Sequence, residues 1–314
     1  MAAAMITSCS NEDELSQSNY PSDNIIRVTA GVNNAKTRAE GAGTEMKNDF
    51  SLTIVNKNAP KYTYTDKVFS KTSGDWACSE TLLWQKSDAL VDIVAFAPAQ
   101  TGKFNGVYAN GSIQPIAYSV ASDQSTSSAN NDLLYYYAPG YNPGKSLVDK
   151  KLNIQFNHAF CMIDINVTLG TEFNKPEVLK ESPIVKVTLG GTKIAANVNV
   201  TNAASVVTIS ETDAATDITT TKGSFDKAAD PEANAKSHFS CIAIPQTVGA
   251  NTFKVSLMTA GKLYEWTSDK EITLQSGYRY TLNLTMGDNV VLLKGGSITA
   301  NPWGNGEGGP LETD

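Results

Sequence analysis

Short runs of strand-forming residues, separated by turn residues, recur along this chain from residue 25 onward. Representative runs are 50–55, 91–96 and 194–200, with Gly, Pro, Asn and Asp standing between them. Apart from a possible turn at 176–181, no window of about 11–18 residues has the roughly 3.6-residue apolar spacing of a helix. Because strands at this spacing bury alternate side chains between two sheets, the sequence predicts an all-β fold of β-sandwiches.

Composition limits the class of protein. The chain has 314 residues, of which 41% are hydrophobic and 18% charged, which suffices for packed cores and excludes a disordered chain. Its net charge of −7 and pI near 5.0 argue against nucleic acid as a partner, because phosphates need a basic surface. The two histidines lie in no nucleophile motif or metal-ligand spacing, so we predict no catalytic residue and no metal site. A glycosidase pair of carboxylates is the alternative that sequence does not exclude.

The segment 138–144 contains two prolines and two glycines, a composition that interrupts strand ladders and is typical of linkers. We therefore predict two tandem domains, an N-terminal sandwich at 25–145 and a C-terminal sandwich at 146–303. The glycine-rich tail 304–314 has no alternating apolar residues and belongs to neither.

The first nine residues form a short apolar run that ends in Ile6-Thr7-Ser8-Cys9 and resembles a bacterial lipobox. We interpret 1–9 as a truncated lipoprotein signal, with a covalent lipid on Cys9 and no other cofactor. An acidic stretch within the flexible tether 10–24 resembles the tag that sends Bacteroidota lipoproteins to the cell surface. These acidic neighbours disfavour the alternative, an ordinary buried cysteine. Since no segment reaches the roughly 18 apolar residues of a spanning helix, the lipid would anchor the protein to the outer membrane.

Three cysteines remain outside the lipobox, and none has the short C-x-x-C spacing of a zinc or redox site. They are Cys78, Cys161 and Cys241. The last two lie in apolar strand patterns, so we expect two buried thiols; a disulfide between them is the alternative.

The run 152–167 changes the parity of its apolar residues. Leu152 to Phe160 follow one alternation and Ile163 to Val167 follow the other, which predicts a bulge or a crossing between sheets near 160–163. His158 shares the inward parity, so we expect a core histidine that is hydrogen-bonded to backbone.

Several blocks with a family resemblance follow one another along the chain: 83–84 with 91–98, 132–135, 152–167 around Phe156-Asn157-His158-Ala159, 272–282, and 301–304. Each block is weak alone, but their order and spacing resemble the fimbrillin-like family of Bacteroidota, the subunits of type V pili. The resemblance implies two tandem transthyretin-like β-sandwich domains and export as a surface lipoprotein. It also implies assembly with other fimbrial subunits into or onto a fimbrium.

In that family an arginine-specific protease removes the first strand, and a neighbouring subunit donates a strand to the open groove. The matching position here is the bond between Arg38 and Ala39, which follows the predicted strand 25–32. Four or five aliphatic residues buried in such a groove, at about 1.5–3 kcal/mol each, would make the contact very long-lived. The alternative is a surface arginine in a long loop.

The last apolar segment is the candidate donor. Its members are Val290, Val291, Leu292, Leu293, Ile298 and Trp303. The same residues could instead complete the chain's own second sandwich, which favours a tip, accessory or anchor subunit over a stalk subunit.

The competing hypothesis is a surface glycan-binding lipoprotein, with a ligand on a host or bacterial surface. Tyr135, Tyr136, Tyr137 and Tyr141 are candidates for stacking on sugars. Alternate residues of a strand face opposite sides, so only Tyr135 and Tyr137 could form one platform. Packing in the core explains this run equally well.

Overall fold

The computed structural model describes residues 19–33, 44–46, 48–99, 103–126, 131–209, 213–287, 289–293 and 298–303. Half of the chain is strand and 5% is helical, which confirms the predicted all-β fold. The transthyretin-like class of the sandwiches stays a prediction.

The strands are β1 Val28–Val32, β2 Thr44–Glu45, β3 Phe50–Val55, β4 Tyr64–Thr72, β5 Asp75–Cys78, β6 Val91–Ala97, β7 Tyr108–Ala109, β8 Ser112–Ile113, β9 Ile116–Ser119, β10 Leu134–Tyr141, β11 Leu152–His158, β12 Cys161–Leu169, β13 Ile184–Gly190, β14 Ala195–Val198, β15 Val207–Ile209, β16 Ile218–Thr219, β17 Thr221–Asp226, β18 Lys236–Ala243, β19 Thr247–Val248, β20 Lys254–Thr259, β21 Leu263–Thr267, β22 Ile272–Thr273, β23 Tyr278–Met286, β24 Val291–Leu293 and β25 Thr299–Pro302. The helical turns are the four-residue helix α1 Pro143–Ser146 and the 3₁₀ turns Pro60–Tyr62 and Thr171–Asn174.

One compact unit comprises Met1–Gly31, Glu45–Ile113 and Tyr136–Phe156. It contains most of an eight-stranded sheet with the order β2-β1-β11-β10-β6-β3-β4-β5. The central strand β3 is buried on both faces, so its polar residues need internal partners. Thr53 Oγ1 accepts a hydrogen bond from the backbone N–H of Asp66 at 2.9 Å, and the Ser51 hydroxyl donates to the Asp66 carboxylate.

The other unit comprises Val32–Thr44, Gln114–Tyr135 and Asn157–Asp314. Its largest sheet has the order β17-β18-β12-β23-β24, and β25 also pairs with β23. A second sheet has the order β16-β13-β20-β21. Strand β12 alternates buried and half-buried residues along its whole length, as a strand with one face in a core does.

The predicted division at residue 145 does not match these units. The first predicted domain includes residues 114–135, which lie in the second unit, and the second predicted domain includes 146–156, which lie in the first unit. The cause is β10, which continues through Pro139 and Gly140 instead of ending there. The N–H of Gly140 donates to the Asp92 carboxylate at 2.8 Å, and Gly140 takes the positive φ of +59° that glycine tolerates.

The predicted crossing near 160–163 is confirmed. Strand β11 ends at His158 in the eight-stranded sheet, and β12 begins at Cys161 in the largest sheet of the other unit. Ala159, Phe160 and Cys161 are all fully buried at this step, which is why the apolar parity changes without a polar gap.

Cys161 and Cys241 are free thiols on the paired strands β12 and β18, and both are fully buried. Burial raises the pKa of both thiols, so almost no reactive thiolate forms near neutral pH. In a Cys9→Ala chain, we expect iodoacetamide to label half-buried Cys78 in the native state and the other two only after unfolding. Mass spectrometry of peptides would check this, and labelling of Cys161 or Cys241 in the native state at the rate of Cys78 would contradict it.

Candidate assembly site

The first strand, β1, lies between β2 and β11 in the eight-stranded sheet. The N–H of Leu152 donates to the carbonyl of Arg27 at 2.8 Å, and Thr29 Oγ1 donates to Asn153 Oδ1 at 3.2 Å. Further along, a side chain at Gly31 would contact Gln155. Because residue numbers rise together on both strands, β1 runs parallel to β11 and covers its edge.

Residues just before β1 attach it to a second segment of the same unit. The N–H of Ile26 donates to the carbonyl of Leu82 at 2.9 Å, and the N–H of Trp84 donates to the carbonyl of Asn24 at 2.8 Å. On the solvent-exposed side, Arg27 donates hydrogen bonds to Asp23 and lowers the pKa of that carboxyl to about 2. This exposed pair orients the strand entry but adds little stability.

Strand β1 and the residues just before it bury few large apolar side chains. Val28 in β1 and Ile26 just before it are the buried large aliphatic side chains, at 3% and 6% exposure. The middle of β1, Thr29-Ala30-Gly31, adds no large one. The neighbouring face of β11 is nevertheless fully buried at Leu152, Ile154 and Phe156.

The candidate donor segment pairs with the chain's own β23. Strand β24 pairs antiparallel with 284–286, and β25 pairs antiparallel with 278–281. Val291 and Ile298 are buried, whereas Val290 and Leu292 are 48% and 58% exposed. The segment therefore completes its own sheet, which is one of the two alternatives given by the sequence; its role as a donor stays a prediction.

Trp303 holds the end of β25 in place. Its indole stacks on the imidazole of His158, with ring centroids 3.9 Å apart and planes 5° from parallel. His158 Nδ1 is 2.8 Å from Asp132 Oδ2, and both side chains are nearly buried. The backbone N–H of Trp303 donates to the carbonyl of Gly277 at 2.6 Å. We call Trp303, His158 and Asp132 the terminal clamp.

The clamp corrects the prediction for His158. Its partners are a carboxylate and an indole, not backbone. The sequence does not predict this association, because Trp303 and Asp132 are both distant from His158 along the chain. The apolar parity of His158 was the available signal for a buried partner.

Three predicted functional residues lie outside the described part of the chain: Cys9, Arg38 and Ala39. The tail 304–314 and most of the tether 10–24 do so as well.

The tyrosines of β10 do not form one open platform. Tyr141 stacks on Trp84 with ring centroids 6.2 Å apart, and its hydroxyl is buried. Tyr135, Tyr136 and Tyr137 are half-buried, and burial raises the pKa of each phenol. Packing therefore accounts for much of this run.

Among the described residues, no group of three or more His, Cys, Asp or Glu side chains is arranged to hold a metal ion. No helix in the same residues is long and apolar enough to cross a membrane.

Comparison with known proteins places these features in a family context. Residues 37–303 match a family model described as fimbrillin-like. A comparison with curated proteins finds no match.

Solved structures share the fold. A presumed cell adhesion protein from Bacteroides ovatus is 17% identical, with a TM-score of 0.62, and the match covers 89% of this chain and 97% of that one. One from Bacteroides uniformis is 16% identical, with a TM-score of 0.59 and coverages of 90% and 100%. A fimbrial protein from Bacteroides vulgatus is 15% identical, with a TM-score of 0.55 and coverages of 89% and 99%.

Proposed function

The chain belongs to the fimbrillin-like family and is a fimbrial subunit, and we propose that it assembles by exchanging its first strand for a strand of a neighbouring subunit. The observation that supports the proposal is how β1 is attached to the rest of the fold. This short strand covers the edge of β11 through a parallel ladder, and the buried large aliphatic side chains of the segment are Val28 in β1 and Ile26 just before it. Another strand can replace a strand that is held by so few apolar contacts. The neighbouring strand β11, in contrast, is too apolar to remain uncovered.

The route to exchange is cleavage between Arg38 and Ala39, a few residues after β1. Cleavage there would separate β1 from the rest of the chain, so that β1 is held only by noncovalent contacts. A donated strand with a longer apolar alternation would then bind more tightly than β1 does.

We further propose a tip, accessory or anchor position in the fimbrium. The support is the C-terminal segment, whose strands β24 and β25 pair with β23 of the same chain and are held by the terminal clamp. A subunit whose last strand is so seated accepts a strand more readily than it donates one. We place the protein on the outer membrane through a lipid on Cys9, exposed at the cell surface.

Treatment of the purified chain with an arginine-specific protease tests assembly. We expect cleavage after Arg38, loss of the β1 peptide and appearance of oligomers, because an uncovered β11 edge binds another strand. Mass spectrometry would identify the new N-terminus at Ala39, and size-exclusion chromatography would measure the oligomers.

The matched controls are Arg38→Gln, which removes the cleavage site, and Lys36→Gln, which removes a neighbouring positive charge and leaves the site intact. The first should stay monomeric and the second should behave like the parent chain. Complete cleavage after Arg38 that leaves only stable monomers with β1 still bound would overturn the proposal.

A further inference from the structure

The outward face of the sheet that contains β12 and β23 carries a cavity of about 480 Å³ that the assembly role does not use. It lies within the unit that contains β12 and β23. Neighbouring strands of one sheet supply nearly all of its lining, which includes Met162, Asp164, Asn166, His238, Arg279 and Thr281. Most of these residues are polar, although the opposite face of the same strands is a continuous apolar core.

An ion pair forms the floor of the cavity. Arg279 donates through Nε to Asp164 on the adjacent parallel strand, and the Asp164 side chain is only 13% exposed. This contact uses one of the five N–H groups of the guanidinium and one oxygen of the carboxylate. The two Nη groups of Arg279 and Oδ1 of Asp164 make no hydrogen bond to another described residue. Each of these residues therefore has polar atoms available to a ligand.

Hydrogen bonds fix one wall. His238 Nδ1 is 2.8 Å from Asn166 Oδ1, and Nε2 is 2.9 Å from Asp226 Oδ2. Asn166 in turn donates from Nδ2 to Asn283 Oδ1 at 3.0 Å. Both ring nitrogens are thus occupied, and the imidazole presents a fixed flat face instead of a free base.

A bulge in β17 shapes the same wall. The pairing of β17 with β18 shifts between Lys222 and Phe225, and Gly223 lies inside the shift. A Cβ at Gly223 would lie 3.0 Å from the His238 carbonyl oxygen, a tighter contact than nearly all Cβ atoms make, so glycine suits this close approach of the two strands. The result is a concave surface on a sheet face that would otherwise be open.

The charges and hydrogen-bonding groups select one class of ligand. Asp164 neutralises Arg279, and Asp226 lies beside His238, so the site offers no net positive charge for a phosphate, sulfate or carboxylate. Hydroxyl and amide groups at Ser240, Thr281 and Asn301 provide interleaved donors and acceptors, which suit a polyhydroxylated neutral molecule.

We propose that this cavity binds a neutral saccharide of one or two rings, with Arg279 and Asp164 contacting its hydroxyls. The volume falls within the range of about 300–1,000 Å³ that is typical of small-molecule sites. Met162 adds an apolar surface for the C–H face of a ring. The site is independent of β1 and of cleavage at Arg38, so it goes beyond the assembly role.

Titration of the full chain with lactose, cellobiose and methyl mannoside tests this proposal. Binding is monitored in NMR spectra through the N–H signals of Arg279, Ser240 and Thr281. We expect saturable shifts with at least one of the three sugars. Thr281→Trp should fill the cavity, keep the sugar away from Arg279 and Asp164, and weaken its binding at least about tenfold, a loss typical of losing hydrogen bonds to charged groups. Thr285→Trp, on the same face of β23 but outside the cavity, is the matched control and should bind like the parent chain.

Both tryptophan variants are first compared with the parent by thermal unfolding, so that loss of folding is recognised. A second variant, Asp164→Asn with Arg279→Gln, removes the ion pair, keeps a polar side chain at both positions and should also lose binding. Absence of saturable shifts with all three sugars would overturn the proposal. So would equal binding by Thr281→Trp and Thr285→Trp, or tighter binding of glucuronic acid than of every neutral sugar.

Discussion

A chain that begins at Ala39 should unfold with a free energy about 3–6 kcal/mol below that of the full chain. It lacks β1, and with it the burial of Ile26 and Val28, each of which contributes about 1.5–3 kcal/mol. The loss also uncovers Leu152 and its neighbours on β11. Since a typical domain is stable by only about 5–15 kcal/mol, this loss is a large share of the total stability. Urea denaturation followed by tryptophan fluorescence would measure the difference.

A chain that begins at Asn19 is the matched truncation, because it loses the preceding residues and keeps β1. It should have the stability of the full chain. A synthetic peptide of residues 22–33, added to the chain that begins at Ala39, should restore most of the difference by re-forming the parallel ladder with β11. Equal denaturation midpoints for the two truncated chains would show that β1 stabilises nothing, and strand exchange would then have no driving force.

The alternation of apolar residues in the sequence predicts most of the strands of the fold. In β12 and β23 every second residue is buried, and such strands can be read from sequence because one face of each lies in a core. The crossing after His158 was equally visible, since a change of sheet must change the parity of the buried side chains.

The domain boundary could not be read in the same way. Pro139 and Gly140 normally end a strand, but here the Asp92 carboxylate on β6 accepts the hydrogen bond of the Gly140 N–H. The two residues are 48 positions apart, and no local pattern shows that a side chain replaces a missing ladder partner. Tertiary structure thus overrides the turn chemistry of the segment.

The terminal clamp shows the same limit at the candidate site. Asp132 is 26 positions from His158, and Trp303 comes from the opposite end of the described chain. The sequence predicts a core histidine at His158 and a candidate donor residue at Trp303, and no local pattern singles out Asp132. Their contact in the folded structure shows that the three residues together hold the C-terminal strand on β23.

Trp303→Ala should release β25 from β23. The substitution removes the parallel stack on His158 and about half the apolar burial of an indole, which together contribute about 2–3 kcal/mol. Amide hydrogens of 299–302 should therefore exchange about 30- to 150-fold faster, because local opening becomes easier by that free energy. Hydrogen exchange with mass spectrometry would measure this. Trp303→Phe keeps an aromatic ring on His158 and should retain most of the protection.

Trp266→Ala is the matched control. Trp266 is also half-buried and contacts an aromatic ring, Phe253, at 6.4 Å, but it lies on β21 in the other large sheet of the same unit. It should lower global stability without a selective effect on 299–302. If exchange in β25 rises equally in both variants, Trp303 holds no local strand and the clamp is an ordinary surface contact.

The same variant decides whether the C-terminal segment donates a strand. To enter a neighbour's groove, β24 and β25 must first leave β23, so the clamp opposes donation by the free energy that it contributes. After cleavage at Arg38, Trp303→Ala chains should form oligomers faster than parent chains by a factor similar to the rise in exchange. An unchanged rate combined with faster exchange would mean that the segment only completes its own sheet. The donor strand must then come from another subunit, as a tip or anchor position requires.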